Sequence, residues 1–321
     1  MSTTNLALAC ALLTVALPAA AQENFPTKPI RMLVPFSAGS ATDFFARMLG
    51  QKMTEHWGQQ VVIDNRPSAG GVIASETLLA APPDGYTLML VSVGHAVNAS
   101  LYSKLPYDTV RDFAGVTLVA DTPTVLVVTP SLGLKTVKDL VELAKSKPGQ
   151  INYASAGIGS GAHINAEQFK LAAGINVVHV PFKGTPEALT NVIGGSVSFF
   201  FSPITGAVTL IKGGKITALA VSTKERSPAL PDLPSAAEVG VPGFEFNLWT
   251  GLLGPAKMPK EVKDKLNKEA VGILGAADIK ERMLTQGATP HPMTSAQFDA
   301  FIKSEVERLA KVVKASGAKA D

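Results

Sequence analysis

The stretch INYASAGIGSGAHINAEQF, residues 151–169, places an apolar run, a loop of small and hydroxyl residues, and a helical segment in that order. The apolar run predicts a strand at 151–155, and the spacing after the loop predicts a helix from residue 162. A loop between a strand and a helix is where α/β proteins bind ligands. The stretch therefore predicts an α/β fold and a ligand-binding loop.

The same loop carries the spacing G-x-G-x-x-A at Gly157, Gly159 and Ala162, which is the outline of a dinucleotide-binding loop. Such a unit has an acidic residue about 20 positions further on, which binds the ribose. The next predicted strand, INVVHVPF at 175–182, contains no Asp or Glu. The sequence therefore argues against a nucleotide, and we expect no cofactor.

Strand and helix patterns alternate along the chain on both sides of this loop, which predicts a parallel sheet with right-handed crossovers. The pattern restarts after VADTP at 119–123, and a Pro-rich stretch at 227–244 precedes the final segments. We expect residues 22–123 and 247–321 to form one lobe, and residues 124–246 to form the second. Two crossings between lobes predict a hinge over a cleft.

The amino-terminal stretch LALACALLTVALP, followed by Ala19-Ala20-Ala21, is typical of a secretory signal peptide at 1–21, cleaved before Gln22. No Lys or Arg precedes the apolar run, so an uncleaved anchor is the alternative. Cys10 is the single cysteine, and removing residues 1–21 leaves no thiol nucleophile and no disulfide. We expect an exported, periplasmic protein.

Composition and motifs exclude several classes of function. The net charge is +3, with Lys and Arg scattered and only 6% aromatic residues, which argues against a nucleic-acid partner. The sequence contains neither a G-x-S-x-G nucleophile motif nor a G-x-x-x-x-G-K-[ST] phosphate loop. His163 has a carboxylate at i+4, Glu167, but two ligands are too few for a metal site. We therefore expect no enzyme and no metal, with a secreted hydrolase as the weakest alternative.

Loops of one kind precede helices along the chain, namely PFSAGSATD (35–43), NRPSAGGVIA (65–74), SAGIGSGAH (155–163) and PFKGTPE (181–187). Small residues let an anion approach the N–H groups at a helix N-terminus, where the helix dipole also favours it. In a parallel sheet, such loops gather at the carboxyl edge of the strands. They therefore predict a cleft that binds a small anion.

Polar residues in these loops are the candidate ligand contacts. Hydroxyl donors are available from Ser37, Ser40, Ser155 and Ser160. Asp43 either caps the first helix or binds an ammonium group of the ligand. His163 either orients its loop or contacts the ligand, and Lys183 is either a charge in the cleft or a solvated surface lysine.

The loops, in this order, resemble the Bug family, the substrate-binding proteins of tripartite tricarboxylate transporters. The family's first loop reads roughly Pro-Phe-x-x-Gly-Gly-x-x-Asp, matched here by Pro35, Phe36, Gly39 and Asp43. The resemblance covers nearly all of the mature chain, and further matches are NRPSAGG, PPDGYTLML, YASAGIGSGAHI, VPFKG and WTGLLGP.

The resemblance implies a two-lobed periplasmic binding protein of the type II-like Venus-flytrap kind, with a hinge and an interlobe cleft. It also implies a small organic carboxylate as ligand, membrane permease subunits as partners, and a monomer. The residues that it assigns to the ligand are Phe36, Ser37, Ala38, Gly39, Ser40, Asp43, Ser92, Gly94, Ser155, Ala156, Gly157, Ser160, Gly161, His163, Phe182, Lys183, Gly184 and Ser202.

Departures from the family pattern bear on the ligand. Ser40 and Ser68 stand where relatives often have Gly, Ala156 and Ile158 where Ser and Asn are frequent, and Phe182 where Tyr is more usual. These changes predict a ligand with an apolar or aromatic body and one carboxylate, rather than citrate. A sensory protein that presents its ligand to a signalling receptor is the alternative function.

Overall fold

The computed structural model of the protein describes residues 25–241 and 245–320. The predicted signal peptide at 1–21 lies outside the described residues. Across these two ranges, no helix combines the length and the apolar character needed to cross a bilayer.

Strands and helices alternate as the sequence predicts. The strands are β1 (Ile30–Val34), β2 (Val61–Asn65), β3 (Thr87–Ser92), β4 (Phe113–Val128), β5 (Asn152–Ser155), β6 (Val178–Pro181), β7 (Phe199–Pro203), β8 (Thr217–Val221), β9 (Asn247–Pro255) and β10 (Thr289–Pro290). The α-helices are α1 (Ala41–Trp57), α2 (Val72–Leu79), α3 (Gly94–Leu101), α4 (Val137–Ser146), α5 (Gly161–Ala173), α6 (Thr185–Ile193), α7 (Ile204–Lys212), α8 (Lys260–Gly275), α9 (Ala277–Thr285) and α10 (Ser295–Ser316).

The strands form one continuous sheet in the order β2-β1-β3-β9-β4-β7-β5-β6, with β8 and β10 also paired to β4. The outer strands are parallel, as predicted: β1 with β2 and β3, and β5 with β6 and β7. The prediction is wrong for the centre, where β9 is antiparallel to β3 and β4, and β4 is antiparallel to β7. The chain leaves the first half of the sheet through β4 and returns through β9, so these two strands run in opposite directions.

β4 is a 16-residue strand that joins the two halves of the sheet. Its first part pairs with β9 as far as Pro123, and its second part pairs with β7 from Thr124 onward. The strand therefore runs through 119–123, where the sequence pattern restarts. Pro123 is tolerated because it lies at the end of one ladder, where its missing N–H disrupts least. This change of partner supports the lobe boundary near residue 123, and both boundaries remain a prediction.

Each half of the sheet has its own apolar core. In the first half, the α1 residues Phe45, Met48 and Leu49 are buried against β1, as their helical spacing predicts. In the second half, Phe199 and Phe201 of β7 are buried among α4 and α5 residues. The two cores make each half a firm support for the loops at its strand ends.

Two helices begin at places that the sequence pattern does not indicate. α3 follows β3 after a single residue, in a stretch too short to display a clear helical pattern. The last helix is capped by Thr294, whose hydroxyl accepts a hydrogen bond from the Gln297 N–H. Neither feature alters the order of the strands in the sheet.

Candidate functional site

The loop before α1 is held by hydrogen bonds within residues 39–43. Gly39 has a positive φ of 81°, which favours glycine. Ser40 is the N-cap of α1, and its Oγ accepts a hydrogen bond from the Asp43 N–H at 3.3 Å. The Asp43 carboxylate in turn accepts one from the Gly39 N–H at 2.9 Å. The loop thus presents the start of α1, where the first N–H groups have no partner within the helix.

Asp43 orients this loop rather than facing open space. Its side chain is buried and accepts hydrogen bonds from Arg47 Nε at 2.8 Å and Asn65 Nδ2 at 2.9 Å. Burial alone raises the pKa of Asp43, but the hydrogen bonds from Arg47, Gly39 and Asn65 outweigh it and hold that pKa below its usual value. Of its two predicted roles, the structure favours the one at the start of the first helix.

The loop before α5 repeats this arrangement with a different side chain. Gly159 has a φ of 78°, and the Oγ of Ser160, the N-cap, accepts a hydrogen bond from the His163 N–H at 3.3 Å. The Gly159 N–H donates to His163 Nδ1 at 3.3 Å, so the ring proton of the neutral imidazole lies on Nε2. His163 therefore orients its loop as Asp43 orients the first one.

A second histidine supports the same loop. His179 stacks on His163 with their ring centroids 4.2 Å apart, and its Nε2 lies 2.6 Å from Ser155 Oγ, which accepts from the Gly157 N–H. Burial lowers the pKa of His163 to about 4 and that of His179 to about 3. Both rings are therefore neutral at pH 7. His163 has to be neutral, because its Nδ1 accepts a hydrogen bond from the backbone.

The two loops meet at a narrow, largely enclosed pocket between the halves of the sheet, in which about 40 Å³ is open to the centre of a water molecule. The first residues of α1, α5 and α6 line it, together with Pro203, the N-cap of α7. Helix N-termini carry N–H groups without a partner in the helix and the positive end of the helix dipole. The pocket is therefore suited to an anion.

Among the residues that the structure describes, those lining this pocket are all neutral. Its hydroxyl side chains are those of Ser40, Thr42, Ser92, Thr122, Ser160, Thr185 and Thr250. The other lining residues are Phe36, Ala41, Ala156, Gly161, Ala162, Pro203, Leu248 and Trp249. An anion bound here would be held by hydroxyls and backbone N–H groups, without a cationic side chain.

Six of the residues assigned by resemblance line the enclosed pocket, namely Phe36, Ser40, Ser92, Ala156, Ser160 and Gly161. Ser202 lies outside its lining, fully buried on β7, and its hydroxyl donates to the Pro203 carbonyl at 3.0 Å. Asp43, Ser155 and His163 act behind the loops, through the hydrogen bonds described above.

The remaining assigned residues lie where the loops of the two halves touch. The Ser37 N–H donates to the Lys183 carbonyl at 3.3 Å, and the Ser37 hydroxyl leaves no room for a Cβ on Gly184. A Cβ on Gly94 would lie 2.9 Å from the Gly159 carbonyl oxygen. Gly39 lies beside Pro186 across the same junction, and Ala38 is the exposed residue before it.

A second, more open depression lies outside this junction, and we call it the outer cleft. Its lining residues are Pro67, Ser68, Gly157, Ile158, Pro181, Phe182, Lys183 and Glu187. Phe182, Lys183 and Gly157 therefore lie at the outer cleft, as does Ile158. Among the described residues, no group of three or more His, Cys, Asp or Glu side chains is placed to hold a metal ion.

Comparison with known proteins agrees with this geometry. The model of the tripartite tricarboxylate transporter family receptor matches residues 45–318. The chain belongs to this family. Its members are receptors for solutes, and the predicted two-lobed periplasmic binding-protein fold is confirmed by solved relatives.

Three solved relatives match this chain over nearly the whole length of both proteins. Rpa4515 of R. palustris, solved with adipate, is 34% identical with a TM-score of 0.89, covering 92% of this chain and 99% of that one. The periplasmic binding protein BugD is 34% identical with a TM-score of 0.88 over the same shares. MatC of Rhodopseudomonas palustris, solved with bound malate, is 31% identical with a TM-score of 0.86, covering 90% and 100%.

The sequence pattern missed several residues of this receptor's pocket. Thr122 and Thr250 come from β4 and β9, and Leu248 and Trp249 precede Thr250 on β9. The motif WTGLLGP drew attention to β9, but nothing in it indicates which side chains face a ligand. Strand pairing, rather than the loops, brings these residues to the pocket.

Proposed function

We propose that this protein is a periplasmic solute-binding protein that captures a small organic carboxylate for a tripartite tricarboxylate-type transporter. The observation that carries this proposal is the convergence of the starts of α1 and α5, one from each half of the sheet, on one enclosed pocket. The relatives solved with adipate and with malate support a carboxylate as the ligand class.

The lining also bears on the body of the ligand. Phe36, Leu248 and Trp249 line the pocket, so it offers apolar surface to the body of the ligand. A tricarboxylate would bring several negative charges to a lining that has no cationic side chain. We therefore propose a ligand with an apolar or aromatic body. Ile158 and Phe182 do not add to this proposal of an apolar body, because they lie at the outer cleft.

The contacts between the two halves suggest how binding would be reported to the transporter. The hydrogen bond from the Ser37 N–H to the Lys183 carbonyl joins loops that lie on opposite sides of the pocket. In the closed form, this junction would cover the ligand, and membrane permease subunits would recognise that form. Binding and release, with no chemical change of the ligand, would complete the function.

A thermal-shift screen of organic acids tests the proposal. A ligand at 100 times its Kd stabilises a protein by about 2.7 kcal/mol, so a true ligand raises the Tm clearly. We expect benzoate-like or aliphatic acids to raise it more than citrate does. Tight binding of citrate alone would contradict the apolar body, and no shift with any acid would contradict the carboxylate function. Hydrolysis of a carboxylic ester by the purified protein would revive the hydrolase.

A further inference from the structure

Three hydroxyl side chains form a row across the central strands at the floor of the pocket. Ser92 of β3 is paired with Thr250 of β9, and Thr250 is paired with Ala120 of β4. Directly paired residues share a face of the sheet, and so do residues two apart on one strand. Thr122 therefore projects from the same face as Ser92 and Thr250, and all three line the pocket. We call them the hydroxyl row.

Within the hydroxyl row, Thr122 stands out because its hydroxyl is buried and unpaired. Thr122 is 2% exposed, and its Oγ1 has no hydrogen-bond partner among the described residues. Thr117, on the same strand, is equally buried, but its hydroxyl donates to the Met293 carbonyl at 2.9 Å and accepts from the Met293 N–H at 3.0 Å. Five buried hydroxyls have no partner among the described residues, those of Ser37, Thr109, Thr122, Thr205 and Ser227. Thr122 is the one of these five that lines the pocket, so a bound ligand can supply its partner.

The hydroxyls at the helix starts are placed for a different task. The oxygens of Ser40 and Ser160 already accept hydrogen bonds from helix N–H groups, which leaves their protons free to donate. Donors of this kind suit a carboxylate, which only accepts. Thr122 instead offers both a donor and an acceptor, and it lies on the strand that joins the two halves of the sheet.

We propose that Thr122 binds a second polar group of the ligand, a hydroxyl or carboxyl oxygen at the end away from the first carboxylate. This inference rests on the proposed function and assigns the selection of the ligand's far end to one residue. The ligand class becomes acids that carry a polar group at each end of an apolar body. The donor and acceptor of Thr122 suit either kind of oxygen, and the apolar lining suits the body between.

Two matched pairs of acids test this assignment by calorimetry, hexanoate with adipate and benzoate with 4-hydroxybenzoate. In wild type, we expect the acid with the second polar group to bind more tightly in at least one pair. In Thr122→Val, which keeps the shape but removes the hydroxyl, its affinity should fall by about tenfold while that of its partner is unchanged. Thr122→Ser keeps the hydroxyl and should keep the preference.

The ligand-free proteins provide an independent measurement. Thr122→Val should leave the Tm unchanged or raise it, because no hydrogen bond is lost, whereas Thr117→Val should lower it. A fall in Tm for Thr122→Val as large as that for Thr117→Val would overturn the inference, since the hydroxyl would then be structural. An equal loss of affinity for both acids of a pair, or no wild-type preference in either pair, would also overturn it. If wild type binds none of the four acids, this inference is overturned, whereas the proposed function fails only if no acid of the thermal-shift screen binds.

Discussion

The loops before α1 and α5 are built alike, yet different chemistry holds them. In both 39–43 and 159–163, a glycine with positive φ precedes a serine N-cap, and the third residue of the helix accepts a hydrogen bond from that glycine. In the first loop this acceptor is Asp43, a carboxylate paired with Arg47. In the second it is His163, a neutral imidazole stacked on a second one.

The two loops therefore share the groups that they expose to the pocket. They do not share the side chain that holds each loop in place. Both present a serine hydroxyl and the first N–H groups of a helix to one pocket. Asp43 and His163, which hold the loops, lie outside the lining of the pocket. Their chemistry can therefore differ between the two loops. Their different titration makes the two loops separable by experiment.

The largest effect is expected for the first loop. Asp43→Ala should lower the free energy of unfolding by about 3 kcal/mol, because it leaves the Gly39 N–H and one of the two Asn65 amide N–H groups without an acceptor. Urea unfolding of the ligand-free protein measures this. Arg47→Ala is the control and should cost less than Asp43→Ala, because it leaves the hydrogen bonds of Asp43 with the Gly39 N–H and Asn65 in place. Equal costs would mean that the ion pair, rather than the loop hydrogen bonds, stabilises this region.

The second loop should respond to acid. The unfolded chain protonates its histidines near pH 6.5, whereas His163 and His179 stay neutral in the folded protein down to pKa values of about 4 and 3. Between these limits the unfolded state binds more protons, so stability should fall as pH drops from 6.5 to 4, by about 1.4 kcal/mol per pH unit for each ring. Urea unfolding across this range measures the slope.

Two variants separate the loops in this pH range. His163→Asn/His179→Asn should lose about two thirds of the slope that the buried histidines cause, since neither side chain then titrates, while burial still holds the pKa of His95 at about 4. Asp43→Asn should keep it, because the lowered pKa of Asp43 places its own contribution at lower pH, where stability is lost as the carboxylate protonates. An unchanged slope in the double histidine variant would show that these rings are not what makes the fold sensitive to acid.

The smallest loss of stability is expected at the serine N-cap that both loops contain. Ser40→Ala and Ser160→Ala should each lower stability by about 1 kcal/mol through loss of a helix cap, and each should weaken carboxylate binding by about tenfold. Thr136→Ala is a matched control, because Thr136 caps α4 outside the pocket lining. It should lower stability similarly and leave the affinity unchanged in calorimetry. Weaker binding in only one serine variant would remove the other loop from the site.

Much of the fold follows from sequence patterns because it is local. The run 30–36 and the spacing of Phe45, Met48 and Leu49 predict a strand and a helix that the structure contains. The direction of β9 was not predictable in this way. It depends on how the chain returns from the second half of the sheet, which no window of neighbouring residues records.

The residues of the candidate site divide in the same way. Those that belong to a local pattern were predicted, and those brought together from distant parts of the chain were missed. Ser40 and Ser160 are visible in the sequence because a cap, a glycine and a helix start lie within five positions. Thr122 and Thr250 are distant in sequence and meet only through the pairing of β4 with β9. Phe182 and Ile158 are close to the right loops, but the turn directs them to the outer cleft.

A crystal structure with the acid that gives the largest thermal shift tests the central claim most directly. The account predicts carboxylate oxygens in the enclosed pocket, at about 3 Å from backbone N–H groups in the first turn of α1 and of α5. An acid bound instead at the outer cleft, with its carboxylate on Lys183, would contradict it.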